Sequence, residues 1–207
     1  MKGRYLVRTA AGRIAVLTVV TSLVPLVLGL VAAWAPVVGF VPVRVAGGDW
    51  SAALATPLSS TMIHGSLLHL AANMLMLMWC GVAVERVLGL GPVLVLYLVG
   101  AYAAALAQFV SAPLETTPMI GASGAISALV GAFALSFGEQ KRIVAGRLLN
   151  RLLNMLWLLA AWIVIQVGFG YLMGAQGTLM ATPAHIGGFL AGVALQRPLL
   201  LWRWRNA

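Results

Sequence analysis

Ser123 lies in Gly121-Ala122-Ser123-Gly124, where a polar loop gives way to an apolar stretch that runs on to Gly131. Glycines on both sides of a hydroxyl leave it open to close approach by a substrate or another backbone. A serine at such a turn has the mechanics of a nucleophile. The same small residues also serve tight helix packing in an apolar setting, so the turn alone does not decide between the two. Two further polar groupings bear on it. His64, His69 and Asn73 stand in HGSLLHLAAN, with His69 and Asn73 four apart and therefore on one helix face. His185 follows Pro183, a residue favoured at helix starts. Serine and imidazole at matching depth fit nucleophilic catalysis, the ring removing the hydroxyl proton. Asn73, a second histidine and backbone N–H groups at the start of the Ser123 helix would donate to a developing oxyanion. Asp49, Glu85, Glu115 and Glu139 all fall in loops or at helix ends. The sequence therefore favours a Ser–His dyad over a Ser-His-Asp triad.

The elements that must position these groups are set by composition. Of 207 residues, 62% are hydrophobic and 8% charged, and the mean hydropathy is +1.01. A soluble domain of this size cannot hide so much apolar surface, so the chain reads as an all-α, multi-pass membrane protein with the lipid bilayer as its first partner. Its one cysteine, Cys80, excludes an intramolecular disulfide. The net charge of +9 does not point to nucleic acid, because the basic residues fall in short clusters between apolar runs.

Residues 1–13 form a basic leader with Lys2, Arg4, Arg8 and Arg13. The apolar run 14–34 is longer than the hydrophobic part of a signal peptide and reads as a retained first span. Residues 35–63, with Pro36, Pro42 and Pro57, read as a long loop in or on the membrane interface. Five further spans are expected at about 66–84, 93–110, 122–137, 152–173 and from 183 to 195 or beyond. Together they predict one six-helix domain over residues 14–201, followed by a short tail at 202–207. Six spans put both termini on one side, with Arg86, Lys141, Arg142, Arg147, Arg151, Arg197, Arg203 and Arg205 beside the leader; only Arg44 lies opposite. By the positive-inside rule that side is the cytoplasm. The starts of the second, fourth and sixth helices, carrying all three histidines and Ser123, then share the outer half of the bilayer.

Polar groups at membrane depth are costly and are by default functional. Ala184, Gly188 and Gly192 form a small-residue stripe on the sixth helix, and Gly124, Ala128 and Gly131 a comparable one on the fourth. Contact between these stripes would bring His185 to Ser123.

These residues resemble the rhomboid family of intramembrane serine proteases over about 57–195. The resemblance rests on His64, His69 and Asn73, on Ala83-Val84-Glu85-Arg86, on Gly121–Gly124, and on AHIGGFLAG at 184–192. It implies that Ser123 is the nucleophile and His185 the general base. It further implies an oxyanion hole from His69, Asn73 and the Ser123 backbone N–H. By the same resemblance His64 would brace the first loop, Glu85 would be structural, and no metal or cofactor would be needed. The expected substrates are transmembrane segments of other proteins, and the short loops and basic leader suggest a bacterial inner membrane. Three positions depart from the family pattern. Ser127 stands where many members carry an aromatic that packs on the histidine ring, Ala55-Thr56 replaces a Trp-Arg pair, and Ile120 replaces a glycine. Without that ring, a less firmly oriented imidazole and a slow or selective enzyme are expected. The alternative is an inactive rhomboid-like protein that binds transmembrane segments without cutting them. A small transporter is disfavoured, since neither inverted repeats nor broken helices are visible.

Overall fold

The computed structural model describes residues 8–137, 146–172 and 182–205. Most of the basic leader, Lys141 and Arg142 of the connector, and most of the expected loop at 174–182 lie outside them. The described residues are helical apart from turns and one isolated two-residue bridge. In chain order the helices are α1 (Ala10–Val27), α2 (Val31–Val38), α3 (Pro42–Ala46), α4 (Trp50–Ser59), α5 (Leu67–Leu88), α6 (Leu90–Ser111), α7 (Ser123–Phe137), α8 (Arg147–Leu172) and α9 (Thr182–Arg203).

Helices α1, α5, α6 and α9 are long and apolar enough to cross a membrane, and shorter apolar helices cover Ser123–Phe137 and Leu152–Gly168. Their outward surfaces carry large side chains such as Val20, Leu106, Trp157 and Val164. The inward surfaces are instead rich in alanine and glycine, as expected where lipid rather than water surrounds the bundle.

The expected loop at 35–63 is mostly helix. Prolines read as breakers, yet Pro42 occupies the first turn of α3, where its missing N–H costs nothing. Asp49 caps α4, its Oδ1 accepting the Ala52 N–H at 2.9 Å and the Ser51 hydroxyl at 2.7 Å, while Oδ2 pairs with Arg44 at 2.8 Å. The bonds from Ser51 and the Ala52 N–H, aided by the Arg44 guanidinium, pull the Asp49 carboxyl down to about 2. The expected first span at 14–34 is likewise divided. α1 ends at Val27, two residues after the internal Pro25, and Gly29 at φ 67° turns the chain into α2.

Helix α5 is continuous to Leu88 but contains a π turn at Leu77–Gly81. Its far end holds Glu85, whose carboxylate accepts the Ala10 and Ala11 N–H groups at 3.0 and 3.3 Å. Those donors have no intrahelical partner at the start of α1. α8 begins earlier than the apolar run at 152, at Arg147, because basic residues are good helix formers and charge does not end a helix.

At the centre stands α7, with Ala125 to Leu129, Gly131, Ala132 and Ala134 all buried. A Cβ at Gly188 would collide with the Gly124 carbonyl, and one at Gly192 with the Ala128 carbonyl. A Cβ at Gly131 of α7 would likewise meet the Phe189 carbonyl of α9, so the backbone contact of the two helices requires glycine on both. Gly124 differs from the expectation: its own missing Cβ makes room for Ala104 of α6, and it meets α9 through its carbonyl. α7 packs against both α6 and α9. Its first residue is Ser123.

Candidate active site

The turn before α7 is held from several directions. Phe40 and Met119 exchange two backbone hydrogen bonds, at 3.0 and 2.8 Å. The Val43 N–H donates to the Glu115 carbonyl at 3.1 Å, and the Gly121 N–H to the Ser60 carbonyl at 2.9 Å. The Thr117 N–H donates to the Glu115 carboxylate at 2.8 Å, which lowers that exposed group below its ordinary range. The segment containing α2 to α4 thus serves as a frame for residues 115–121. Gly121 has φ 109°, and a Cβ there would lie 2.7 Å from the His69 ring. Both facts require glycine at this position.

Ser123 Oγ and His185 Nε2 are 2.8 Å apart. One group starts α7 and the other lies in the first turn of α9, so the glycine-mediated contact of the two helices sets their separation. His185 is 4% exposed, which leaves the ring few alternative positions. The Ser123 carbonyl accepts the Ser127 hydroxyl at 2.7 Å, and Ser127 Oγ in turn accepts the Trp162 indole N–H at 2.9 Å. From the same face of α8, the Gln166 side-chain nitrogen lies 3.3 Å from His185 Nε2.

His64 is fully buried. Its Nδ1 lies 2.9 Å from the Ser22 hydroxyl of α1, and its Nε2 accepts the Ala122 N–H at 3.3 Å. It therefore joins α1 to the residue before Ser123. His69 packs edge-on against it, with ring centroids 4.9 Å apart. The Gly65 N–H approaches His69 Nδ1 at 3.4 Å. With Nδ1 as acceptor, the neutral ring carries its hydrogen on Nε2, the atom turned toward Gly121. The Asn73 side-chain nitrogen donates to the His69 carbonyl of its own helix at 2.9 Å. A carboxamide nitrogen has two hydrogens, so one remains.

Ser123, His185, His69, Asn73, Trp162 and Gln166 line one cavity of about 370 Å³, closed on its apolar side by Leu68, Ile126 and Ile165. It lies between α5 and α8 with Ser123 in its wall. Among the described residues no three of His, Cys, Asp and Glu converge as metal ligands.

Sequence reasoning named His69, Asn73, Ser123 and His185 of this wall, and His64 and Gly121 behind it, but missed Trp162 and Gln166 of the wall and Ser22 behind His64. Gln166 is a single polar side chain inside an apolar run, and Ser22 belongs to a small group of hydroxyls with Thr18 and Thr21; both were available signals. Trp162 gave none, since a tryptophan in a membrane helix usually faces lipid or the interface.

A family model described as the rhomboid domain matches residues 51–202. The chain is 32% identical over 154 residues to the rhomboid protease GluP of Bacillus subtilis, covering 74% of this chain and 28% of that protein. It is 29% identical over 152 residues to RHOMBOID-like protein 4 of Arabidopsis thaliana, covering 72% and 36%. It is also 27% identical over 139 residues to Rhomboid-related protein 2 of Mus musculus, covering 67% and 45%. The matched region thus spans less than half the length of each of these relatives. With a family model covering most of its length and a bundle of apolar helices around it, the chain is an integral membrane protein that belongs to the rhomboid family.

Proposed function

We propose that this protein is an intramembrane serine endopeptidase that cuts transmembrane segments of other membrane proteins with a Ser123–His185 dyad. The observation that carries this reading is the 2.8 Å contact between Ser123 Oγ and His185 Nε2 beside an accessible cavity. The name of the Bacillus subtilis relative, a rhomboid protease, supports it.

His185 Nε2 takes the hydroxyl proton as Ser123 Oγ bonds to the scissile carbonyl carbon. The oxyanion is held by the Ser123 backbone N–H, by His69 Nε2–H and by the spare Asn73 hydrogen. At the first turn of α7 that N–H has no intrahelical partner, and the helix dipole adds to its pull. His185 then gives its proton to the leaving nitrogen, and water hydrolyses the acyl-enzyme with the ring again as base. No carboxylate is free to complete a triad among the described residues. Asp49 pairs with Arg44, Glu85 caps α1 and Glu115 receives Thr117.

In this reading α1, α5, α6, α7, α8 and α9 are the six spans, and both termini face the cytoplasm on the basic side. Ser123, at the start of α7 on the side away from the basic clusters, then lies in the outer half of the bilayer, near the ends of transmembrane substrates. The expected setting is a bacterial inner membrane. Purified protein in detergent, mixed with a transmembrane substrate, should yield product that disappears in Ser123→Ala and in His185→Ala. Binding of the segment without product from wild type would instead indicate an inactive rhomboid-like protein.

A further inference from the structure

Trp162 and Gln166 lie one helical turn apart on α8 and both reach the dyad. Trp162 acts on the serine side, through Ser127 to the Ser123 carbonyl. Gln166 acts on the histidine side, 3.3 Å from the ring nitrogen that also faces Ser123 Oγ. The adjoining cavity wall from α8 is apolar, made of Ile165 and the Trp162 ring. A carboxamide in such a wall is costly unless it is hydrogen-bonded. Among the described residues its hydrogen-bonding neighbour is His185.

We propose, resting on the protease reading above, that Gln166 is a positioning residue that holds the His185 imidazole in register with Ser123 through the catalytic cycle. Nε2 of a neutral ring has one lone pair. The Ser123 hydroxyl at 2.8 Å and the Gln166 NH2 at 3.3 Å both offer hydrogens to it. That pair of donors selects the tautomer with hydrogen on Nδ1, the form able to act as base. After the Ser123 proton moves to Nε2, the ring becomes a donor there. A turn of the Gln166 carboxamide then presents Oε1 as acceptor, until the proton passes to the leaving nitrogen. A carboxamide carries donor and acceptor on one group and serves both states, which no aliphatic side chain can. With Trp162 fixing the Ser123 carbonyl from the same helix, α8 steadies both members of the dyad from one face.

The test uses the full-length protein with a transmembrane substrate, comparing wild type, Ser123→Ala, Gln166→Met and Gln166→Asn. Methionine keeps the length without hydrogen bonding, and asparagine keeps the amide but is one carbon too short to reach Nε2. Both variants should lose about tenfold in kcat, the worth of one hydrogen bond, with KM and thermal midpoint near wild type. The chain has three histidines, so a ¹⁵N-histidine spectrum reads each ring separately. The His185 Nε2 resonance should move in both variants while those of His64 stay. Unchanged kcat and an unchanged His185 resonance in either variant would overturn the inference. So would a loss of activity accompanied by a lowered midpoint and shifts in all three rings, because that is general damage. Product from Ser123→Ala, or none from wild type, would instead remove the protease reading itself, a result separable from the behaviour of Gln166.

Discussion

His64 joins Ser22 of α1 to the Ala122 N–H, one residue before Ser123, through its two ring nitrogens at 2.9 and 3.3 Å. Replacing it by alanine leaves the buried Ala122 N–H unpaired, while the Ser22 hydroxyl keeps its bond to the Met62 carbonyl at 2.9 Å. An unpaired buried group of this kind costs about 1–3 kcal/mol. His64→Ala should therefore lower the thermal midpoint in detergent clearly and reduce cleavage by loosening the turn that carries Ser123. Ser22→Ala, which removes the hydroxyl's bonds to Met62 and His64 but leaves the one from Ala122 to His64, should loosen the turn less and so reduce cleavage less. Equal stability of His64→Ala and wild type would show that the bridge contributes nothing.

The approach of α9 to α7 depends on Gly188 and Gly192, whose missing side chains admit the Gly124 and Ala128 carbonyls. Backbone cannot yield as a flexible side chain can. Gly188→Ala should cost roughly 1–3 kcal/mol or more and, by pushing His185 away from Ser123, reduce kcat more than it raises KM. Gly168→Ala, where a Cβ meets nothing within 4 Å, is the matched control and should leave stability at or above that of wild type, by up to about 1 kcal/mol. Equal effects at the two positions would contradict the packing argument.

Glu85 offers a separation of stability from chemistry. It caps α1 from the far end of α5, 12 residues beyond Asn73 in sequence and about 18 Å along the helix. Glu85→Ala should cost about 1 kcal/mol, the usual worth of a helix cap. At temperatures where the protein stays folded its kcat should match wild type. A fall in kcat without a fall in midpoint would mean that the cap communicates with the site.

How much of this was legible in the sequence differs by element. Ser123, His185 and Gly188 could be brought together in advance because residue type, helix period and membrane depth all constrain them at once. Such agreement does not exist for α2 to α4. Their prolines resemble loop punctuation, and only the Asp49 cap and the first-turn position of Pro42 reveal helix. Gly124 was read toward α9, whereas its open side faces α6. Periodicity identifies a face of small residues but not which neighbour occupies it. Gln166 and Ser22 escaped because neither belongs to a recognisable motif. Ser22 sits among the hydroxyls of Thr18 and Thr21, which read as ordinary helix-facing side chains, and Gln166 is paired at helical spacing only with Trp162. The aromatic missing at Ser127 was visible, but that Ser127 receives Trp162 from α8 was not. That contact joins residues 35 apart in sequence, and nothing local records it.

The central claim is that His185 makes the Ser123 oxygen nucleophilic. The most direct measurement is reaction of the purified protein with a fluorophosphonate, with the adduct located by mass spectrometry. Ser123 Oγ would bond to phosphorus, fluoride would leave, and the hydroxyl proton would pass to His185. The account predicts an adduct on Ser123 in wild type, its loss in His185→Ala, and no transfer to Ser127 in Ser123→Ala. An adduct that forms equally well without His185, or one found on a different serine, would contradict it.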